Sequence, residues 1–366
     1  MSISQVSGVR IAGIASAVPR QVIESRSLEA VFGADEIPKV IKGTGVERRR
    51  VVPDGMCASD LCYAAGRQLL AETGCDPASV DSLIFVSQSH DYLLPATSCL
   101  LQDRLGLPVG CPSFDIALGC SGYVYGLWTA AGLIASGLSK RCLLAVGEVS
   151  TRRIGPRDRS AAMLFGDAGT ATLLERSEPG AMPWTFSLGT DGSGGKHLIV
   201  PAGGSRLIPD AETGVEKMGS DGNPRRLDDL FMNGTEIFLF TLNRVPKLVK
   251  EVRETAGLSP EAIDAYVFHQ ANEFMLKHLA KNMQLPPEKV PLILRDFGNT
   301  SSASIPLTIT QKLREPLRSG PQTLLLGGFG VGLSWGAVTM QAGPMVIPDL
   351  IEVDESVIPA PLFSRN

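Results

Sequence analysis

One cysteine of the chain, Cys120, lies in a setting that favours chemistry at its sulfur. It stands in the stretch "SFDIALGCSGYVYGL", between Gly119 and the pair Ser121-Gly122. The residues before it predict a strand, and the apolar spacing after it predicts a helix. A cysteine at such a turn lies at a helix N-terminus, where the macrodipole and free N–H groups favour the thiolate and lower the thiol pKa. The alternative is that Cys120 is a small packing residue beneath a turn.

Two other polar residues follow elements that would bring them to a cleft. His269 directly follows the apolar run "AYVF", which predicts a buried strand ending at a cleft edge. Asn299 stands in "RDFGNTSSASIP", which predicts a loop. The alternatives are a structural histidine and an asparagine that caps a helix or forms a turn. Both side chains can donate hydrogen bonds to a developing oxyanion, which a carboxylate cannot do.

A glycine-rich stretch, "GGFGVGLSWG" at 327–336, allows two interpretations. Its G-x-G pattern is a weak signal for a dinucleotide loop, because the following "LSWGAVTMQ" alternates like a strand instead of continuing as a helix. A glycine turn near Cys120 would instead offer a backbone N–H to an oxyanion.

Composition and charge exclude several classes of function. The chain has 366 residues, 44% hydrophobic and 20% charged, which is enough for two or three domain-sized units. A net charge of −4 without a basic patch argues against nucleic-acid binding. No apolar run approaches the ~20 residues of a membrane helix, so we expect a cytoplasmic protein without a membrane partner. The seven cysteines lack CxxC spacing, so we expect neither a metal site nor a disulfide framework.

Strand-like runs alternate with helical runs, which predicts an α/β fold. Buried strands are predicted at 81–89, 141–149, 264–270 and 322–329, and helices at 121–138 and 236–257. Residues 189–227 are rich in Gly, Pro and Asp, which predicts long loops with at most a short strand.

A weak internal repeat divides the chain. "ETGCDPASVDSLIF" at 72–85 resembles "ETAGLSPEAIDAYVF" at 254–268, and later landmarks keep nearly equal spacing. We therefore expect two pseudo-symmetric halves, 1–180 and 181–345, followed by an extended tail at 346–366. In this repeat the loop around Asn299 corresponds to the loop around Cys120, so a two-fold relation would bring the two loops together.

Five segments together resemble the β-ketoacyl-acyl carrier protein synthase III family of thiolase-fold condensing enzymes. They are "GTGVERRR", "DIALGCSGYVYGL", "DRSAAMLFGDAGTATLL", "FHQAN" and "GNTSSAS". The resemblance covers nearly the whole chain. It implies a thiolase-like fold whose two pseudo-symmetric halves form a layered α-β-α-β-α body.

The resemblance also implies roles for particular residues. Cys120 would be the nucleophile that accepts the acyl group, and His269 and Asn299 would bind the thioester carbonyl of a malonyl unit. The backbone N–H groups of Cys120 and Val331 would form the oxyanion hole. Family members often have Gly or Ala where this chain has Val331, a change that keeps the backbone donor.

Substrate binding is where the chain departs from its family. Arg159 matches the arginine that stacks on the adenine of coenzyme A, and Asn272 of "HQAN" would also bind substrate. No tryptophan in 34–45 matches the one that sandwiches the adenine. Phe274 replaces an arginine implicated in carrier-protein docking, and Lys277, one turn later, is a candidate substitute.

The resemblance implies a homodimer that uses acyl-CoA, a malonyl thioester and an acyl carrier protein, without a cofactor. In the dimer, the loop at 89–99 would reach the neighbour's acyl pocket, with Leu94 lining it. The expected reaction is decarboxylative condensation through an acyl-cysteine. Two alternatives remain: an acyltransferase that passes the acyl group to an amine or hydroxyl without decarboxylation, and a non-catalytic scaffolding subunit.

Overall fold

Two β-sheets form the framework of the protein, whose computed structural model describes residues 2–362. In chain order, the strands of this part of the chain are β1 (Ser2–Val6), β2 (Val9–Pro19), β3 (Val22–Glu24), β4 (Arg48–Arg50), β5 (Ser82–Val86), β6 (Ser113–Ile116), β7 (Arg141–Glu148), β8 (Ala168–Arg176), β9 (Trp184–Thr190), β10 (Leu198–Ile199), β11 (Lys217–Met218), β12 (Pro224–Arg225), β13 (Phe231–Met232), β14 (Ala265–Phe268), β15 (Gln322–Gly330), β16 (Ser334–Ala342) and β17 (Ile351–Val353).

The helices of the same residues are of two kinds. The α-helices are α1 (Glu29–Phe32), α2 (Ile37–Thr44), α3 (Ala58–Thr73), α4 (Thr97–Arg104), α5 (Gly122–Ala135), α6 (Gly234–Thr255), α7 (Glu273–Asn282), α8 (Leu294–Phe297), α9 (Ser304–Lys312) and α10 (Arg314–Ser319). The 3-10 helices are Ser25–Leu28, Pro77–Ser79, Ser150–Arg153, Gly192–His197, Pro287–Lys289, Ser301–Ala303 and Glu355–Val357.

The sheets and helices are stacked in layers. The first sheet has the strand order β17-β2-β8-β7-β5-β6, and the second has the order β1-β9-β16-β15-β14. Helices α5 and α9 contact strands of both sheets and therefore lie between them. Helix α3 packs on the first sheet, and α6 packs on the second. The resulting α-β-α-β-α order confirms the fold class that the motifs predict.

The central helix α5 is apolar on most of its surface because both sheets cover it. Val124, Leu127 and Ile134 belong to one buried cluster with Val86 of the first sheet and Leu326 of the second. Burying such side chains is the main stabilising contribution of this layer. Within residues 2–362, neither α5 nor any other helix combines the length and apolar character needed to cross a membrane.

The two sheets repeat one arrangement. Strands β2-β8-β7-β5 and strands β9-β16-β15-β14 have the same order and the same pattern of antiparallel and parallel pairs. Asp81, before β5, accepts the N–H of Arg141, and Asp264, before β14, accepts the N–H of Thr323. These features agree with the internal repeat, although the borders of the halves at 180/181 and 345/346 stay a prediction.

Each sheet also has an edge strand that is distant in sequence from the strand it pairs with. Strand β1 pairs antiparallel with β9 at the edge of the second sheet. Strand β17 pairs parallel with β2 at the edge of the first sheet, so part of the predicted extended tail lies in a sheet. The last residues of the predicted tail, 363–366, lie outside the described residues.

Residues 189–227 contain more regular structure than predicted. A 3-10 helix at Gly192–His197 is followed by the two-residue strands β10, β11 and β12. Strand β10 pairs with β13, and β11 pairs with β12. The expectation of at most one short strand was wrong because pairs this short leave no run long enough to show a period of two residues.

Candidate active site

The turn between β6 and α5 presents Cys120 to a pocket. Strand β6 ends at Ile116 and α5 begins at Gly122, as the sequence predicts. Only 7% of Cys120 is exposed, and its Sγ lies 3.9 Å from the Oγ of Ser301. A Cβ added to Gly330 would lie 2.7 Å from this Sγ. A residue larger than glycine at 330 would therefore displace the sulfur.

The environment of Cys120 acts on its thiol in opposing directions. Burial raises the pKa of the Cys120 thiol, and the negative charge of Glu148 also raises it. The backbone N–H groups of Val331 and of Cys120 itself, and the Ser301 hydroxyl, lie against the sulfur and lower the pKa. The expected net lowering of the thiol pKa was wrong, because the desolvation of a buried thiolate outweighs these dipoles. The two N–H groups nevertheless meet beside the sulfur, where an oxyanion hole would have to lie.

Strand β14 brings His269 to the same pocket. The residue is only 2% exposed, and its Nδ1 lies 2.8 Å from the Oγ of Ser304 at the start of α9. With Nδ1 engaged, Nε2 is the ring nitrogen available to a ligand. The imidazole meets the ring of Phe329 edge-on, with 5.8 Å between the centroids. Burial lowers the pKa of His269 to about 4, so the imidazole is neutral at pH 7.

Asn299 is held on both sides of its amide group. Its Oδ1 accepts the backbone N–H of Ser301 at 2.9 Å, and its Nδ2 donates to the carbonyl oxygen of Ala271 at 3.3 Å. The first contact is an Asx turn, so the turn-forming alternative for Asn299 also applies. Ser301 adopts a left-handed φ of 49°, which is uncommon for a residue with a side chain. One amide hydrogen of Asn299 remains for a ligand.

A buried carboxyl group, Glu148, also faces the pocket, although no sequence motif singles it out. It is the last residue of β7. Burial raises the pKa of Glu148 to about 7, against hydrogen bonds from Ser89, Gln88 and Ser302 that lower it. The available signal was an acidic residue at the end of the apolar run "RCLLAVGE", a position comparable to that of His269.

The pocket has a volume of about 410 Å³ and brings together five of the predicted residues. They are Cys120, His269, Asn299, Asn272 and Val331. We call the first three the inner set. The side chain of Asn272 caps α7 by accepting the N–H of Met275. Much of the remaining wall is apolar, and its residues include Leu164, Phe165, Leu198, Val200, Leu230, Met232, Ile237 and Phe329. Such a wall suits an aliphatic ligand.

Cys120 differs from the other six cysteines in its position. All seven are free thiols, and Cys120 is the single thiol in the described wall of the pocket. Cys62 and Cys142 are buried in the core, where burial raises the pKa of each thiol. Within residues 2–362, no group of three or more His, Cys, Asp or Glu side chains is arranged to hold a metal ion.

Comparison with known proteins connects this pocket to a family. The family model described as 3-oxoacyl-[acyl-carrier-protein] synthase III matches residues 114–192, and the model of its C-terminal part matches residues 254–342. A β-ketoacyl-[acyl-carrier-protein] synthase III from Caldanaerobacter subterraneus is 33% identical over 327 residues, covering 89% of this chain and 96% of that protein. The chain belongs to the β-ketoacyl-acyl carrier protein synthase III family.

Other synthase III proteins are similar over the same length. The β-ketoacyl-[acyl-carrier-protein] synthase III of Symbiobacterium thermophilum is 34% identical, covering 92% of this chain and 98% of that protein. A crystal structure of a 3-oxoacyl-(acyl-carrier protein) synthase from Burkholderia xenovorans LB400 is 46% identical and covers 96% of this chain and 99% of that chain, with a TM-score of 0.91. The resemblance inferred from the motifs is therefore confirmed, and the chain belongs to a family of condensing enzymes.

Three predicted substrate-binding residues lie outside the pocket of this synthase III chain. The side chain of Arg159 is 56% exposed, and its Nη1 lies 3.2 Å from Oε2 of Glu36. The side chain of Lys277 is 68% exposed and pairs with Glu273, one turn earlier in α7. Leu94 is also exposed. We call Arg159, Lys277 and Leu94 the outer set. Their roles in binding the substrate or a partner subunit stay predictions.

Proposed function

We propose that the protein catalyses the decarboxylative condensation of an acyl-CoA primer with a malonyl thioester carried by acyl carrier protein. The product would enter fatty acid or related secondary-metabolite biosynthesis. The observation that carries the proposal is the meeting of Cys120, His269 and Asn299 in one largely apolar pocket of a synthase III chain. The names of its relatives, β-ketoacyl-[acyl-carrier-protein] synthase III, describe the same class of reaction.

In the first half-reaction, Cys120 accepts the acyl group. Its sulfur attacks the thioester carbonyl, and the oxyanion forms between the N–H groups of Cys120 and Val331. Loss of one such donor costs ~3–4 kcal/mol of transition-state stabilisation. Because burial raises the pKa of the Cys120 thiol, the proton leaves during the attack. The departing CoA sulfur takes up this proton as the old thioester bond breaks.

In the second half-reaction, His269 and Asn299 stabilise an enolate. Nε2–H of His269 and Nδ2–H of Asn299 donate to the thioester carbonyl of the malonyl unit. The bond to its carboxylate breaks, CO2 leaves, and the electron pair passes into the enolate. The enolate carbon attacks the carbonyl carbon of acyl-Cys120, the bond from that carbon to the sulfur breaks, and the released thiolate takes a proton from water.

The donor role of His269 sets a requirement on Ser304. The Ser304 hydroxyl lies 2.8 Å from Nδ1 of His269 and 2.7 Å from the carbonyl oxygen of Ser301. It has one proton to donate. Its hydrogen is directed to the Ser301 carbonyl oxygen, and it must turn to Nδ1 for the ring hydrogen to lie on Nε2, the tautomer that the proposed reaction needs.

The homodimer and the cytoplasmic location stay predictions. Leu93 and Leu94 are both highly exposed, which would suit a surface that a second subunit covers. The proposed chemistry uses no prosthetic group, because coenzyme A and the carrier protein enter only as thioester carriers.

The nucleophile is tested by intact-protein mass spectrometry. On incubation with an acyl-CoA, the wild-type protein should gain the mass of one acyl group, and Cys120→Ser should not. Cys142→Ser is a matched control, because it removes a buried thiol outside the pocket. A Cys120→Ser variant that gained the acyl mass at the wild-type rate would contradict the assignment.

The condensing half-reaction is tested by CO2 release. His269→Ala and Asn299→Ala should keep part of the acylation but lose malonyl-dependent CO2 release, because each removes a donor to the enolate. Unchanged release in both variants would contradict their roles. Acylation of the wild type without any malonyl-dependent CO2 would instead favour the acyltransferase alternative.

A further inference from the structure

Glu148 is a buried acid in the pocket wall that the proposed reaction does not use. Its Oε1 accepts the backbone N–H of Gln88 at 3.0 Å and the hydroxyl of Ser302 at 3.2 Å. Its Oε2 accepts the hydroxyl of Ser89 at 2.8 Å. An ionised carboxylate only accepts hydrogen bonds, so it suits three donors at once, whereas a protonated carboxyl or an amide does not.

Gln88 and Ser89 connect this carboxylate to the turn of the nucleophile. Both residues follow β5 and line the pocket. A Cβ added to Gly119, which directly precedes Cys120, would lie 2.5 Å from the side-chain oxygen of Gln88. The position of Gln88 therefore limits where the Cys120 turn can lie.

Ser302 connects the same carboxylate to the segment that carries Asn299. Its neighbour Ser301 places its Oγ 3.9 Å from the sulfur of Cys120 and donates its N–H to Oδ1 of Asn299 at 2.9 Å. Glu148 therefore holds Ser302, and the adjacent Ser301 contacts both the thiol of Cys120 and the side-chain amide of Asn299.

The chain contains a similar acid outside the pocket. Asp81 accepts the hydroxyl of Ser139 and the N–H groups of Lys140 and Arg141. It precedes β5, whereas Glu148 ends β7, and these two strands are parallel neighbours. Asp81 therefore joins loops at the opposite end of the sheet, which makes it a matched control for Glu148.

We propose that Glu148 is a positioning residue for the reaction at Cys120. Its carboxylate holds the turn after β5 and the segment 299–304 in place on two sides of the thiol. The statement about acyl transfer rests on the proposed function, whereas the statement about thiol reactivity does not.

The charge of Glu148 gives the proposal a second measurable effect. This charge raises the pKa of the Cys120 thiol, and burial raises the pKa of Glu148 itself to about 7. Other titratable groups that interact electrostatically with this carboxyl include Cys62 and His90, which is paired with Asp115. Removing the carboxylate charge should therefore lower the pKa of the Cys120 thiol.

The test compares Glu148→Ala, Glu148→Gln and Asp81→Asn in the full-length protein. The first measurement is the rate at which iodoacetamide alkylates Cys120 between pH 6 and 9, followed by mass spectrometry of the peptide that contains Cys120. The second is the rate of acylation by an acyl-CoA. Thermal unfolding of each variant shows whether it is folded.

The two measurements should move in opposite directions in Glu148→Ala. The alkylation profile should shift to lower pH, while acylation slows on the order of a hundredfold because both turns lose their anchor. Glu148→Gln should show the same shift in alkylation, with acylation slowed only about fivefold, since its amide oxygen still accepts hydrogen bonds. Asp81→Asn should lose stability and keep the wild-type alkylation profile.

Acylation at the wild-type rate in Glu148→Ala, or an alkylation profile of Glu148→Gln that coincides with the wild type, would overturn the proposal. If Glu148→Ala does not fold, Glu148→Gln decides. Iodoacetamide needs no thioester pocket, so the alkylation result stands even if the wild type proves unable to accept an acyl group. The two failures can therefore be distinguished.

Discussion

The inner set and the outer set differ in how firmly the protein holds them. Cys120, His269 and Asn299 are buried, and each contacts groups from other segments of the chain. In the outer set, the exposed side chains of Arg159 and Lys277 each form one ion pair with a residue of the described part of the chain. An exposed ion pair contributes little to the stability of one conformation, because water and salt compete for it. The inner set is therefore preorganised within the pocket, whereas the side chains of Arg159 and Lys277, outside it, are free to adjust.

The largest expected change is in the rate of acylation of Cys120, and it should follow from adding a side chain next to the inner set. Gly330→Ala places a methyl group 2.7 Å from both Cβ and Sγ of Cys120 and adds strain at a φ of 156°. Displacement of the sulfur by about 1 Å should slow acylation on the order of a hundredfold. Acylation is followed by intact-protein mass spectrometry.

Gly132→Ala is the matched control for this prediction. Gly132 lies in α5 with nothing within 4 Å of its added Cβ, so alanine there should keep acylation at the wild-type rate. It should also raise the thermal midpoint slightly, because alanine is the better helix former. Acylation at the wild-type rate in Gly330→Ala would show that the space around the thiol is not restricted.

A smaller effect is expected from the burial of His269 in the inner set. It is seen in how the free energy of unfolding changes with pH. Burial lowers the pKa of His269 from 6.5 to about 4, so the folded state binds fewer protons than the unfolded state between these values. Stability is therefore lost as the pH falls from above 6.5 towards 4. His269→Gln should reduce the loss of unfolding free energy between pH 7 and pH 5 by about 2 kcal/mol.

Urea unfolding at the two pH values measures this difference. Phe329→Leu removes packing against the same imidazole without removing a titratable group, so it should keep the wild-type loss. An equal loss in His269→Gln and the wild type would mean that the imidazole is not buried in solution.

The smallest effect is expected in the outer set. Glu36→Gln frees the guanidinium of Arg159 from its ion pair, and should lower the KM for acyl-CoA by about twofold. The KM for an acyl-pantetheine, which lacks the nucleotide, should not change. Glu273→Gln, which frees Lys277, is the matched control and should leave the KM for acyl-CoA unchanged. Equal effects of Glu36→Gln on both thioesters would argue against nucleotide binding by Arg159.

The difference between the buried inner set and the exposed outer set also explains which features could be predicted from the sequence. Buried strands such as β5, β7, β14 and β15 are continuous apolar runs, so their order and the internal repeat are visible in the chain. His269 directly follows such a run, and Cys120 precedes a long apolar helix. Their convergence therefore follows from local patterns together with the repeat.

The features of the site that could not be predicted from the sequence depend on contacts between residues that are distant in the chain. The hydrogen bonds of Glu148 to Gln88 and Ser302 span 60 and 154 positions, and no local pattern reports them. Whether the pKa of the Cys120 thiol is raised or lowered depends on how completely the sulfur is desolvated. The position of Cys120 at a helix N-terminus does not reveal this. The ion pairs of the outer set join exposed side chains, which leave no apolar period in the sequence.

The exchange of edge strands between the two sheets has a consequence for attempts to divide this protein. A backbone cut at 177–183, between β8 and β9, would leave β1 on one fragment and its partner β9 on the other. The same cut would separate β17 from its partner β2. Each fragment would carry the edge strand of the other fragment's sheet. We expect the two pieces to reassemble by strand complementation, and not to behave as independent modules.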